Sequence, residues 1–246
     1  MTTARHLPLF PLNSVLFPGL VLPLNVFEQR YRALMRDLSA LPEEEPRRFG
    51  VVAIRDGHEV APSAPGLPEG ARPEPGPASG FGADPMKAFY TVGCTAEAAT
   101  IREREDGSYE VLATGTTRFR LLSVDTSGPY LTGEVETVEE HQGDEAGALA
   151  SGVVRAFRAY QKRLAGATER SLAGQQDLPG EPSVLSYLVA AAAMLDTPAK
   201  QRLLQAPDTA SRLAEELKLL RAETAVIGKL PSLPATDLIR RPTSPN

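Results

Sequence analysis

The stretch LPLFPLNSVLFPGLVLPLNVF at residues 7–27 carries no charge and is long enough to span a bilayer or to act as a signal peptide. Its prolines at positions 8, 11, 18 and 23 exclude a continuous helix, because proline removes a backbone donor and clashes with the preceding turn. No basic segment with a small-residue cleavage site frames it. The stretch therefore predicts buried strands and turns in a cytoplasmic protein that contacts no membrane.

Short apolar runs separated by turn residues dominate the first 140 positions and predict a small β-domain at residues 1–142. The Asp-Gly pair at 106–107 favours a tight hairpin turn, since glycine accepts a positive φ. The predicted strands are residues 5–9, 19–24, 49–54, 88–102, 109–114, 118–125 and 130–138.

One helix is predicted within this β-domain, at residues 26–38, with Asn25 as its N-cap. Phe27 and Tyr31 are four positions apart and are expected to fill the core. A contact surface for a substrate is the alternative interpretation of this aromatic pair.

Residues 61–88 contain seven prolines and five glycines and few apolar side chains. This composition predicts a mobile surface insertion, because little apolar area is available to offset the entropy of ordering. A proline-rich ligand for a partner is the alternative, although no P-x-x-P flanked by basic residues is present.

The hydrophobic period changes after residue 142, and residues 143–230 are predicted to form a helical bundle. Leu149, Val153 and Phe157 recur at helical spacing in its first helix. Further helices are predicted at residues 183–195 and 197–204, and Asp208 is expected to cap the last one. Residues 231–246 contain four prolines and are expected to be a flexible tail.

The composition excludes several classes of chemistry. The net charge is −5, which disfavours nucleic acid as a partner. Three scattered histidines and one cysteine offer no spacing for a metal site, and the only Gly-Lys pair does not form a phosphate-binding P-loop. No catalytic constellation is found, so neither a cofactor nor a metal is expected.

Several strings of residues are more specific than these general patterns. The first three are LPLFPLN at residues 7–13, LFPG at 16–19 and PLNVFEQRY at 23–31. FGVV at 49–52, VGCTA at 92–96 and GTTRFR at 115–120 follow, with QRLLQ at 201–205 and SRL at 211–213 near the end. In order and rough spacing these strings resemble the N-terminal, substrate-binding domain of Lon proteases, over about residues 5–230.

The resemblance implies an α+β fold: a PUA-like β pseudo-barrel with one embedded helix, followed by an α-helical bundle. In full-length Lon this region recognises unfolded or tagged substrates, whereas the ATPase and the Ser-Lys peptidase lie downstream. Residues for neither activity are found in this sequence. We therefore expect a stand-alone, non-enzymatic form of the domain.

The best candidates for peptide contact are Leu16, Phe17, Leu20 and Leu22. This segment holds more apolar residues than one short strand can turn inward, so some are expected to line an exposed groove for extended peptide. Burial beneath the helical bundle is the alternative explanation for the same residues.

Arg118, Arg120 and Cys94 are further candidate site residues. Arg118 and Arg120 share one strand face, where a carboxylate site competes with a solvated or salt-bridged face. Cys94 lies in an apolar run and is expected to be a buried structural thiol.

The sequence thus predicts a protein that binds unfolded or tagged polypeptide and acts as an adaptor, holdase or regulator of proteolysis, with a full-length protease as a potential partner. Its oligomeric state is not specified. A small-molecule or nucleic-acid sensing module is the alternative, because PUA-like barrels also hold such ligands. A cryptic hydrolase is a third possibility, for which no nucleophile and base can be identified.

Overall fold

The computed structural model describes residues 5–56, 76–168 and 177–228. Six strands and two helices precede the four helices of the C-terminal bundle. The elements are β1 (Arg5–Leu12), β2 (Val21–Val26), α1 (Gln29–Ser39), β3 (Arg48–Ala53), α2 (Pro85–Ala88), β4 (Val92–Glu103), β5 (Tyr109–Asp125), β6 (Thr132–Val138), α3 (Ala146–Thr168), α4 (Pro182–Ala192), α5 (Thr197–Gln205) and α6 (Thr209–Ile227).

The strands form one mixed sheet in the order β2-β5-β4-β3-β1-β6. Only β1 and β3 are parallel, and an additional pairing between β5 and β6 joins five strands into a ring with β2 outside it. The α+β class is therefore confirmed. The sheet is a curled, partly closed form rather than a regular barrel, because β5 belongs to the ring at one end and to the β2 ladder at the other.

A β-bulge in β5 allows this double membership. Cys94 pairs with Arg118 and Ala96 pairs with Gly115, so Thr116 and Thr117 together face a single residue of β4. A bulge of this kind bends the strand and increases its twist. The second half of β5 is thereby turned towards β6, which it meets from Arg118 onward.

The core of the β-domain lies on both faces of the sheet. One face is covered by α1, whose Leu34 and Met35 are fully buried, and the Tyr31 ring stacks on Phe10 at 4.4 Å. The other face lies inside the ring and contains Phe119 and Leu131. Successive side chains of a strand point to opposite faces of the sheet. Every second residue of a strand therefore enters one core, and the residues between them enter the other.

The predicted start of α1 is wrong. The helix begins at Gln29, and Glu28 occupies the N-cap, where its side chain does not bond to the helix backbone but lies 3.1 Å from the Arg30 guanidinium. Asn25 belongs to β2 and pairs with Glu110. Phe27 is 61% exposed, so of the aromatic pair only Tyr31 enters the core. Pairing with β5 extends the strand through Val26 and takes precedence over helical spacing.

The described part of the predicted insertion, residues 76–88, is not a mobile surface segment. Phe81 is buried against Phe89, with their ring centroids 4.8 Å apart. Arg30 donates to the carbonyl oxygen of Ser79 at 2.7 Å, and Asp84 caps the short helix α2. A single aromatic residue and a buried arginine thus anchor a segment rich in proline and glycine. The remainder of the predicted insertion, residues 61–75, lies outside the described residues, as does the predicted tail.

A cluster of charged residues joins the bundle to the sheet. Of the two strand-face alternatives, solvated or salt-bridged, the salt-bridged one holds for Arg118, which is buried because α5 covers it. Arg120 on the same face is exposed. The Arg118 guanidinium donates to the carbonyl oxygens of Leu204 and Ala206 at 3.0 and 2.6 Å. It also lies 2.8 Å from a carboxylate oxygen of Glu140, in the segment between β6 and α3.

The same Glu140 carboxylate binds three side chains of the bundle. Arg212, fully buried on α6, approaches it at 2.9 Å and lies 4.0 Å over the Tyr187 ring. The Tyr187 and Thr209 hydroxyls both donate to it. We refer to Arg118, Glu140, Tyr187, Thr209 and Arg212 as the Glu140 cluster.

Opposing effects set the pKa of Glu140. Burial alone would raise it, but the attraction of Arg212, the hydrogen bond from Tyr187 and the attraction of Arg118 together outweigh burial, and the pKa is lowered. The stability this carboxylate contributes is therefore present above its unfolded-state pKa and is lost as the pH falls through the lowered folded-state pKa.

The substitution Glu140→Gln tests the cluster. It leaves two buried guanidinium groups without their counter-charge, so we expect the free energy of unfolding at neutral pH to fall by about 3 kcal/mol. Urea denaturation of the purified protein measures this change. The neighbouring Glu139 is 83% exposed and provides the control, since Glu139→Gln should leave stability unchanged. Equal effects of the two substitutions would contradict a special role for Glu140.

A second buried carboxylate, Glu216 on α6, has a different environment. Both of its oxygens are buried without a hydrogen-bond partner among the described residues. Burial raises its pKa well above the usual value, and the attraction of Arg212 offsets only part of this effect. Glu216 is therefore protonated in the folded protein at pH values where it is ionised in the unfolded chain.

This difference predicts a pH-dependent stability. Unfolding releases a proton from Glu216, so its contribution is complete below the unfolded-state pKa and is lost as the pH rises through the raised folded-state pKa. We expect Glu216→Gln to gain stability relative to the wild-type protein as the pH increases from 5 to 8, measured by urea denaturation at each pH. The adjacent, more exposed Glu215 supplies the control, Glu215→Gln, whose difference from wild type should not change over this range. A pH-independent difference for Glu216→Gln would show that the buried group is ionised.

Candidate functional site

The four predicted peptide-contact residues do not form an exposed groove. Leu16 is buried in the core beneath α1, and Phe17 is buried against Tyr187, Leu203 and Leu204 of the bundle. Leu20 and Leu22 are half-buried and pack against these same cores. The alternative explanation, burial beneath the bundle, therefore holds for Phe17, and neither buried residue is available to a ligand.

The exposed apolar surface lies instead on the next residues of the same segment. Val21 and Phe27 are 60% and 61% exposed, and Pro23 between them is also exposed. Directly opposite Pro23 on the neighbouring strand lies Leu112, which is 43% exposed. We call Val21, Pro23, Phe27 and Leu112 the β2 face.

The pairing register explains why Val21, Pro23 and Leu112 share one surface, and Phe27 follows directly after the strand. Residues paired across neighbouring strands point to the same side of a sheet. One row across the sheet contains Val21, Thr114 and Glu97, and the next contains Pro23, Leu112 and Thr100. Residues of the opposite parity on β2, such as Val26, enter the core under α1. The strand is thus apolar on both sides, but the residues that the structure describes cover only one of them.

A shallow depression of about 380 Å³ adjoins the β2 face and is lined by Pro23, Asn25, Thr100, Arg102 and Leu112, among others. Its border is charged, since Glu110 accepts a hydrogen bond from Arg104. An apolar centre with a polar border is the arrangement found at protein interaction surfaces.

Strand β2 is an edge strand among the described residues, since its only partner is β5. A free edge can accept a further strand, but Pro23 has no N–H to donate. Recognition at this surface would therefore depend more on side-chain contacts than on extension of the ladder.

A pattern in the sequence could have identified this surface. Every second residue from Val21 to Phe27 is apolar except Asn25. The residues between them, Leu22, Leu24 and Val26, are also apolar. A strand with two apolar faces needs a cover on each. Because Phe27 was predicted to lie in a helix, the sequence pattern did not indicate a second apolar face on this strand.

The remaining candidates do not supply chemistry. Cys94 is fully buried, as predicted, and burial raises its pKa to about 12, which disfavours the reactive thiolate. Across residues 5–56, 76–168 and 177–228, no three or more His, Cys, Asp or Glu side chains are grouped to hold a metal ion. Nor is any described helix both long and apolar enough to cross a membrane.

Curated relatives match nearly the whole chain but are much longer. The Lon protease of Anaeromyxobacter dehalogenans is 30% identical over 229 residues, covering 90% of this chain and 24% of the relative. Lon protease 2 of Myxococcus xanthus is 29% identical over 232 residues, with 90% and 24% covered. The chain therefore spans about a quarter of the length of the relatives it matches.

Two solved structures share the fold. The Lon N-terminal domain protein from Xanthomonas campestris aligns with a TM-score of 0.52 at 23% identity, covering 87% of this chain and 98% of that one. The N-terminal domain of the Mycobacterium avium complex Lon protease aligns with a TM-score of 0.54 at 18% identity, covering 90% and 98%. Residues 6–222 match the substrate-binding domain of the ATP-dependent protease La (LON). The chain therefore belongs to the LON substrate-binding domain family.

Proposed function

We propose that this protein binds unfolded or tagged polypeptide through the β2 face and has no catalytic activity of its own. It would act as an adaptor or regulator of proteolysis, presenting its client to a full-length protease. Membership of a substrate-binding family supports polypeptide as the ligand class. The β2 face is proposed as the binding surface because its four apolar residues are exposed: Val21, Pro23, Phe27 and Leu112.

The physical argument rests on what unfolded chains offer. An unfolded polypeptide exposes apolar side chains that a folded protein buries, and their transfer onto an apolar surface is favourable by about 25 cal/mol per Å². Covering a side chain such as Phe27 contributes up to about 1.5–3 kcal/mol. A surface with several exposed apolar side chains therefore discriminates between unfolded and folded states without reading a particular sequence.

The absence of catalysis is supported by the described residues. Cys94 is fully buried and therefore inaccessible. Glu216, whose pKa is raised well above its usual value, is also buried and does not line an open cleft. The Glu140 carboxylate already binds two arginines and two hydroxyl groups, which leaves it a poor general base. These groups hold the fold together.

The double substitution Val21→Ser with Phe27→Ser tests the surface. Both side chains are exposed, so the variant should fold, and the lost apolar contacts should weaken the binding of a labelled, permanently unfolded polypeptide by at least about tenfold. A titration followed by fluorescence anisotropy measures the Kd. The wild-type protein should bind the folded counterpart weakly and should leave the unfolded polypeptide intact in the presence of ATP.

Leu122→Ser is the matched control, because Leu122 is 45% exposed on the part of β5 that pairs with β6 and not with β2. It should bind as the wild type does. If wild-type protein binds neither form of the polypeptide, the proposed function is wrong. If the double variant and the Leu122 control bind equally, polypeptide binding stands but the β2 face is not its site.

A further inference from the structure

The ring of five strands has an open end where each strand contributes at least one polar side chain. A cavity of about 400 Å³ lies there. Five of them, one from each strand, are Arg5 of β1, Arg48 of β3, Thr95 of β4, Thr117 of β5 and Thr137 of β6, and His6 and Thr116 also line the cavity. Cavities at the mouths of such strand rings are common positions for small-molecule sites.

Strand alternation explains why all five side chains point into the cavity. The residues two positions deeper on the same strands are Leu7, Gly50, Gly93, Phe119 and Val135. Leu7, Phe119 and Val135 form the floor of the cavity. A Cβ atom on Gly50 or Gly93 would lie 2.9 or 2.4 Å from the Phe119 ring, so these glycines leave the space that the ring fills.

The bulge in β5 shapes one wall of this cavity. Because Thr116 and Thr117 together face a single residue of β4, both hydroxyl groups are brought to the cavity. Thr116 donates to the carbonyl oxygen of Thr95 at 3.1 Å. The side-chain hydroxyl groups of Thr117 and Thr137 bond to no described residue, and both residues are exposed. Bulges are frequent beside binding sites, where they redirect a side chain.

The charges at the cavity favour a singly charged anion. Arg48 ion-pairs with Glu97 through its Nε atom at 2.9 Å, and its two Nη atoms donate to no described residue. Arg5 has no ion pair with any part of the chain that the structure describes. The two arginines and the Glu97 carboxylate together carry a formal charge of +1, which matches a carboxylate more closely than the roughly −1.5 to −2 of a phosphate monoester.

We propose that this open end is a binding site for the carboxylate of an acid with an apolar side group. The Arg5 and Arg48 guanidinium groups and the threonine hydroxyls would donate to the carboxylate, because a guanidinium matches its two oxygens. The apolar group would rest on the floor formed by Phe119 and Val135. Either a free small acid or the C-terminus of a peptide presents this chemistry. The proposal does not depend on polypeptide binding at the β2 face.

The test compares acids with their amides. N-acetyl-leucine and N-acetyl-leucinamide differ only in the charged group, and a peptide ending in leucine is prepared with a free or an amidated C-terminus. Each is titrated into the full chain carrying ¹³C-labelled threonine methyl groups. We expect the acids to shift the signals of Thr95, Thr117 and Thr137, with affinity at least about tenfold above that of the amides. Binding of N-acetyl-leucine alone assigns a small acid, whereas binding of the peptide acid assigns a chain terminus.

Variants locate the site independently. The double substitution Arg5→Gln with Arg48→Gln removes only exposed guanidinium groups and should weaken acid binding by at least about tenfold. Arg120→Gln, on the opposite face of β5, is the matched control and should have no effect. Thr117→Val removes one hydroxyl without a change of shape and should also weaken binding.

Several results would overturn the proposal. Equal binding of acid and amide, no binding of either, or full binding by the Arg5 and Arg48 double variant would each do so. Stronger binding of inorganic phosphate than of the acids would overturn the carboxylate assignment. The Val21 and Phe27 double variant should bind N-acetyl-leucine normally, so failure here and failure at the β2 face are distinguishable.

Discussion

Strand β5 is too long to lie in one ladder, and the structure depends on how it bends. It pairs with β2 and β4 before the bulge at Thr116 and Thr117, and with β4 and β6 after it. Without that bend the sheet could not curl back to β6, because the same strand must leave one neighbour to reach another. The bend leaves β2 outside the ring, with one apolar face uncovered. It also presents Arg118 to the helical bundle immediately beyond the bulge.

The contact between the bundle and the sheet contains a buried polar cluster beside its apolar residues. Two buried arginines, a tyrosine and a threonine converge on the Glu140 carboxylate. Apolar contacts such as Phe17 against Tyr187 remove apolar surface from water but do little to fix the orientation of the bundle on the sheet. The Arg118 guanidinium fixes this orientation, because it contacts the carbonyl oxygens at the end of α5 and the Glu140 carboxylate at the same time. Hydrogen bonds of this kind fix orientation even where their net contribution to stability is small.

The sequence predicts the order of the elements well, and its errors have physical causes. Apolar alternation and turn residues indicated the strands, whereas ladder pairing that extends β2 through Val26 displaced the start of α1. The burial of Arg118 depends on the end of α5, which is more than 80 residues away along the chain. Composition could not predict the anchoring of residues 76–88, since it depends on one aromatic residue, Phe81, and on Arg30 from α1. In each case a contact distant in sequence overrides a local pattern.

The sequence indicated that the first strands expose apolar side chains, but it did not indicate which ones. A surplus of apolar residues in the first 27 positions indicated an exposed apolar surface, yet the structure assigns Leu16 and Phe17 to the core and exposes Val21 and Phe27. Local sequence cannot decide between these, because the cover for Phe17 is supplied by α4 and α5. The uncovered side of β2 lies on the same face of the sheet as the open end of the ring, with the row of Val21, Thr114 and Glu97 between them. Thr117 and Leu112 are five residues apart on β5, or about 17 Å along an extended strand. One face of the sheet thus changes over that distance from arginine and threonine to exposed apolar side chains, and the two ends suit ligands of different chemistry.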